Sequence, residues 1–363
     1  MSIDDNKTAK TDAREAGQDL EPKKTSLART IMKYLVPLFF TVGLCWGLFH
    51  SINFSEMMEI ITTQCNFFWM IPVIAISIFS HVFRAMRWRI QLRALGITPP
   101  LYVLIYSIFG TYAVNFVLPR LGEVWRTSYI ANRQHAPFST VFGSMVADRL
   151  SDTLTVFLLL MATFVLASST LLSYLRQSQA TYDAIVGLAT SPWVWLTAAV
   201  IVALCVWFFT RKPVEGSMVW RVRQFVKGLW EGFAVIASMP GKGRWLLLTV
   251  MIWGCYYLQM YFAFCAFPFT AEVLHSHGAL AALVVFVISS ISMAVPSNGG
   301  IGPWQWAVIF ALGIYGVDRV SAGAFANLVM GTQTALTIVL GLITFAGIAL
   351  DRKKIPQKDP TRQ

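Results

Sequence analysis

Eight stretches of this chain carry no charged side chain: 34–55, 60–83, 94–119, 153–175, 184–210, 245–271, 273–317 and 320–350. A hydrocarbon layer of about 30 Å is crossed by roughly 20 helical residues rising about 1.5 Å each, so every stretch is long enough to reach through or deep into a bilayer. With 56% hydrophobic and 13% charged residues, the composition excludes a water-soluble globular domain. The expected fold is an all-α polytopic membrane protein.

The positions of the 29 Lys and Arg give the topology. They gather in 1–33, 84–93, 120–133, 211–244 and 352–362, whereas 53–66, 169–191, 268–278 and 317–322 are nearly free of them. Basic residues near span ends stay cytoplasmic, which places both termini inside. The net charge of +11 therefore belongs to loops and not to a nucleic-acid groove. The five cysteines show no CxxC and no paired spacing, so neither a disulfide framework nor a zinc site is expected. The first apolar run follows 33 polar residues and lacks a small-x-small cleavage site, which reads as a retained anchor.

Parity forces two irregular segments. Stretches 84–93 and 120–133 both read as cytoplasmic, yet 94–119 lies between them. That run is expected to enter, turn near Asn115 to Pro119, and return along 120–132. In the second half, both ends of 273–317 read as external and its middle is Pro296-Ser297-Asn298-Gly299-Gly300-Ile301-Gly302-Pro303, through which no helix passes. Two full crossings, 279–296 and 304–316, are the alternative there. The halves thus align as span, span, hairpin, span: 34–52, 67–86, 101–132 and 138–168, against 193–210, 244–267, 279–316 and 321–349. The expectation is about six full transmembrane helices plus two re-entrant or broken-helix hairpins in an inverted repeat, a plan that places a substrate site where the breaks meet.

The expected organisation is a disordered cytoplasmic tail (1–33), a first membrane repeat (34–168), an external loop (169–192), a second repeat (193–349) and a cytoplasmic tail (350–363). Within the second repeat, Met218, Val222, Phe225, Val226, Leu229 and Phe233 recur at helical spacing, which predicts an amphipathic surface helix over 216–236. Packing as a linker on the bundle and lying on lipid both fit that pattern.

Ionisable groups inside a bilayer are costly and mark functional sites. Ser144, Asp148, Ser151, Asp152 and Thr155 fall on one helical stripe, with Arg149 within reach of Asp152 at i,i+3. The stripe fits either a polar cavity or an Asp/Arg pair joining two helices. At the first hairpin, Arg120, Glu123 and Arg126 follow Asn115 and Pro119. The start of the returning half-helix, with its free amides, and the arginine forks suit an anion such as phosphate, and a salt-bridge ladder is the other reading. In the second hairpin, Asn298, Gly299, Gly300 and Gly302 fit an amide nest for an oxyanion or simply a sharp reversal. The last helix shows a stripe of small and polar residues, Gly323, Asn327, Gly331, Thr334 and Gly341, consistent with close packing. His275 and His277 lack a third ligand nearby, and no metal or cofactor site is expected.

These residues resemble the lysylphosphatidylglycerol synthase transmembrane-domain family of flippase-like membrane proteins. The likeness rests on Asn115 with Pro119-Arg120-Leu121-Gly122-Glu123 and Arg126, on Asp148-Arg149 with Asp152, and on Pro296 with Gly299-Gly300-Ile301-Gly302. It implies a cell inner membrane, a phospholipid or glycolipid substrate, and a role in moving lipid rather than aminoacyl transfer. Gln305 stands where many relatives have Glu, and the last helix lacks an Arg that relatives often carry.

The function expected on these grounds is translocation of a lipid or glycolipid. Asn115, Arg120, Glu123, Arg126, Asp148, Arg149, Asp152, Asn298, Gly299, Gly300, Gly302 and Gln305 line its headgroup site. A membrane-embedded enzyme acting on a lipid-linked phosphate and an ion-coupled solute transporter are the competing classes.

Overall fold

The computed structural model describes residues 54–118, 121–169, 239–295, 297 and 299–354, with scattered positions between 173 and 220. The expected span 34–52, most of 193–210, nearly all of the amphipathic helix 216–236, the N-terminal tail and residues 355–363 lie outside the described residues, and 350–354, expected in the C-terminal tail, continue the last helix. The described chain is helical throughout. Its elements are α1 (Phe54–Gln64), a short 3-10 turn (Phe67–Trp69), α2 (Met70–Ala94), α3 (Leu101–Val117), α4 (Leu121–Gln134), α5 (Phe138–Leu166), α6 (Lys242–Phe264), α7 (Pro268–His277), α8 (Ala279–Ser292), α9 (Pro303–Gly313) and α10 (Arg319–Lys354).

Four segments are long and apolar enough to cross a bilayer: Phe67–Ala94, Phe138–Leu166, Lys242–Phe264 and Arg319–Asp351. They coincide with four of the six full spans expected. Their outward faces are apolar and exposed, as at Phe157, Leu158 and Phe164 on α5 and Leu342 and Ile343 on α10. In water that exposure would be costly, but against lipid tails it is neutral. Inward, Phe264, Phe267 and Phe325 centre one apolar cluster, and Trp88, Leu92, Leu104 and Ile130 centre a second.

Helix is interrupted in both irregular segments, between α3 and α4 and between α8 and α9. α3 packs against α4, and α8 against α9. With 17, 14, 14 and 11 residues, these helices rise about 26 Å or less, short of a 30 Å core. α7 joins α8 at a 113° bend, made at Gly278 with φ +69°. The stretch 268–278 is thus mostly helix.

Both turns are held by a side-chain carboxamide. Asn115 Oδ1 accepts from the Gly122 amide at 2.8 Å, and Gln305 Oε1 accepts from the Gly302 amide at 2.8 Å. Each bond satisfies a donor at the start of a returning helix that the helix itself leaves free. Gly122 also permits the crossing of α3 and α4, since a Cβ there would sit 2.2 Å from the Thr111 carbonyl oxygen. Gly122→Ala should therefore spread the hairpin and cost about 1–3 kcal/mol by overpacking, read as a lowered thermal midpoint in detergent. An unchanged midpoint would show that α3 and α4 can separate freely.

Residues 84–93, expected to be a cytoplasmic loop, are the last turns of α2. Arg84 and Arg87 turn inward and are 4% and 0% exposed. They escape the cost of burial because a neighbouring helix supplies carboxylates.

Candidate functional site

α2 presents Ser77, Ser80, Arg84, Arg87 and Gln91 at intervals of three to four residues, so they share one face. α5 answers with Ser144, Asp148, Ser151 and Asp152, all buried. Arg84 donates to Asp152 Oδ2 at 2.8 Å and to the Tyr256 hydroxyl at 3.0 Å. Arg87 donates to Asp152 Oδ1 at 2.7 Å and to Thr249 Oγ1 at 3.4 Å, with Trp245 beneath its guanidinium. Asp152 thereby bridges both arginines, and Tyr256 and Thr249 bring α6 into the cluster. An Arg87 nitrogen also lies 2.7 Å from Asp148 Oδ1, but out of line with its N–H, so that contact is ionic and Asp148 has no hydrogen-bond donor. The cluster is closed: Arg87 and Asp148 are fully buried.

The polar face of α2 continues away from the cluster. Ser77 donates to Gln333 Oε1 on α10 at 2.9 Å, and Gln333 donates in turn to Gln259 Oε1 on α6 at 3.2 Å. Helices α2, α5, α6 and α10 are thus joined through polar groups inside the membrane region.

The pair expected between Arg149 and Asp152 does not form. Arg149 donates to Glu123 Oε1 at 2.9 Å, linking α5 to α4, because Asp152 turns the other way, towards α2. Glu123, expected beside Arg120 and Arg126, is therefore spent on Arg149, and its second oxygen accepts from Asn115 at 3.3 Å. Arg120 and Asn298 lie outside the described residues.

Arg126 is the exception in this set. It is fully buried on α4, and its Nε and both terminal nitrogens have no hydrogen-bond acceptor. Its guanidinium stacks on the Trp88 ring at 4.4 Å, while the indole N–H of Trp88 donates to Ser144 Oγ at 3.1 Å. Among the described residues, Arg84, Arg87, Arg126 and Arg149 face Glu123, Asp148 and Asp152. One positive charge remains without a partner.

The second hairpin is farther along the chain and uncharged. Gly299, Gly300 and Gly302 have φ of +62°, +85° and +92°, so each serves a reversal that other residues rarely adopt. The Gly302 amide is already used by Gln305, whose Nε2 donates to Asn327 on α10 at 2.6 Å. Gly341 packs on α3, where an added Cβ would come within 2.5 Å of Ala113 Cβ, the close contact expected of that stripe. His277 stacks edge-on to Tyr315, and no cluster of three metal-ligating side chains occurs among the described residues.

A cavity of about 420 Å3 lies elsewhere, between α1 and the start of α10, lined by Glu56, Glu59, Thr63, Asp318 and Ser321. It contains none of the arginines. Burial pushes the Asp318 carboxyl up, but the Ser321 hydroxyl and the amides of Ser321 and Val320 outweigh this and hold it below the usual carboxylate range.

The family described as the lysylphosphatidylglycerol synthase TM region matches residues 34–341, nearly the whole chain. The chain belongs to this family. No curated protein and no solved structure matches it. As an LPG synthase TM-region protein it is an integral membrane protein. The match spans the ion cluster, Arg126 and both broken segments.

Proposed function

We propose that the protein moves an anionic lipid or glycolipid across the cell inner membrane, holding the headgroup against Arg126 without chemical change to it. The observation that carries this reading is the buried guanidinium of Arg126, which has no acceptor although every other arginine of the set is paired. A buried guanidinium without a hydrogen-bond acceptor is expensive, and an anionic ligand is the simplest group to complete it.

The hairpins supply the second element. Each is a broken segment whose returning helix begins at a glycine amide bound by a carboxamide, Asn115 in one case and Gln305 in the other. Together with the concentration of Lys and Arg in one set of loops, this likeness supports an inverted repeat with both termini cytoplasmic, in which the two hairpins alternate access to the Arg126 site. The closed cluster then corresponds to an occluded arrangement that opens as one hairpin moves.

Reconstituted vesicles test the reading directly. Full-length protein should accelerate bilayer crossing of a fluorescent monoanionic phospholipid over a fluorescent phosphatidylcholine. Arg126→Met should cut that rate by at least about thirtyfold, since removing one side of a desolvated charge pair costs 2 kcal/mol or more. Equal rates for wild type and variant would refute headgroup capture by Arg126.

A further inference from the structure

α10 runs unbroken from Arg319 to Lys354 and packs on both hairpins, against α3 of the first and α9 of the second. On the second hairpin, Asn327 Oδ1 accepts at 2.6 Å from Gln305, the residue that holds that turn. On the first, Gly341 lies against Ala113 of α3, and Phe345 meets the Trp125 ring of α4 edge-on at 5.6 Å. Asn327 and Phe345 are 18 positions apart, about five full turns, so they share one face of α10 at a separation of about 27 Å. Gly341, one turn before Phe345, belongs to the same side. Both hairpins therefore touch one side of a single helix. Between these contacts, Gln333 lies about 120° around the helix from Asn327. It is bonded to Ser77 of α2 at 2.9 Å and to Gln259 of α6 at 3.2 Å, and α2 and α6 pack closely on each other.

Resting on the alternating hairpins proposed above, we infer that α10 is a rocker pivoted at Gln333, which lets one hairpin open only as it holds the other shut. The two contacts sit on one face and on opposite sides of the pivot. Tilting the end of α10 away from the first hairpin therefore brings its start towards α9, and the opposite tilt reverses both. Gln333 is about 9 Å along the axis from Asn327 and about 18 Å from Phe345, so a displacement at the second hairpin is roughly doubled at the first. The long arm is clasped in the arrangement seen here. Asp351, near the end of α10, pairs with Arg133 on the last turn of α4, and Arg133 also donates to the Tyr102 hydroxyl of α3 at 3.2 Å. One element whose tilt both hairpins bias is the physical requirement for coupling them.

Amide hydrogen exchange of the full-length protein in phosphatidylcholine nanodiscs, with no cargo added, tests the link. Phe345→Ala removes the contact with Trp125, so exchange should quicken about fivefold in α3 and α4 and slow by a similar factor in α8 and α9. Asn327→Leu acts on the other arm and should give the reverse, faster exchange in α8 and α9 and slower exchange in α3 and α4. Adding Gln333→Leu to Phe345→Ala should confine the change to the first hairpin. A change confined to the nearer hairpin while Gln333 is intact overturns the rocker. It leaves headgroup capture by Arg126 standing, because vesicle transport reads that separately. Faster exchange in both hairpins is general loosening and overturns the rocker as well. Opposite changes in a protein that moves no lipid in vesicles support the rocker and overturn the lipid reading. Either single variant decides the question, so poor folding of one does not obscure the result.

Discussion

Arg126→Met should raise the thermal midpoint of the purified protein. The buried guanidinium has no acceptor for any of its nitrogens, and the effective penalty for such an ion is several kcal/mol even after relaxation. Its stacking on Trp88 returns about 2 kcal/mol. Methionine keeps most of the unbranched stem and the contact with the ring, so the net gain should be about 1–3 kcal/mol, seen as a higher midpoint in lipid-free detergent. Added anionic lipid should stabilise the wild type and narrow the gap, since a ligand that binds only the folded state adds its own binding free energy. A residue retained at a cost to stability is one kept for what it binds. A lower midpoint for Arg126→Met, insensitive to lipid, would make the arginine structural.

Asp152→Asn should have the opposite and larger effect. The Asp152 carboxylate accepts from Arg84 at one oxygen and from Arg87 at the other, and neither arginine has a second hydrogen-bonded carboxylate. Removing one member of a buried ion cluster strands the rest, at about 3–5 kcal/mol. Asp148→Asn should cost less, because Asp148 meets Arg87 without a hydrogen bond. The order Asp152 before Asp148 is the checkable point, measured by unfolding in detergent. Replacing Arg84 and Arg87 by methionine together with Asp152 by leucine should recover most of the loss, as the charges then leave as a set. A loss below about 1 kcal/mol for Asp152→Asn would mean that water reaches the cluster.

Much of this architecture is legible in the sequence, for physical reasons that also mark where legibility ends. Charge-free length locates α6, α10, the first half of α2 and the second half of α5, because a bilayer core demands it. Parity of basic loops locates both breaks, and glycine with proline locates the second turn. The same charge counting hides half of the cluster: Arg84 and Arg87 lie close to a span end, where positive residues ordinarily mark a cytoplasmic loop. Yet Ser77, Ser80, Arg84, Arg87 and Gln91 repeat at three to four residues, the same signal that reveals the Asp148 stripe. Periodicity was therefore the better guide to α2 than charge density. Partner choice is different in kind. Along the chain only Asp152, three residues on, lies within reach of Arg149; Glu123 is 26 residues away on α4, and the packing of α4 and α2 against α5 decides between them. The Arg126 and Trp88 stack, from helices 38 positions apart in the chain, likewise exists only once the first hairpin closes.

The ion cluster also sets an order of events during synthesis. Arg84 and Arg87 precede Asp152 by 68 and 65 residues. At a synthesis rate of about 5–20 residues per second, the two arginines wait on the order of 3 to 14 seconds before their carboxylates are made. In that interval the second half of α2 could settle in hydrocarbon only with two bare charges, a costly state. Once Asp148 and Asp152 are made, the charges of Arg84 and Arg87 are matched. Burial of the second half of α2 is thus expected to wait for α5, which ties two helices far apart in the chain into one step of assembly.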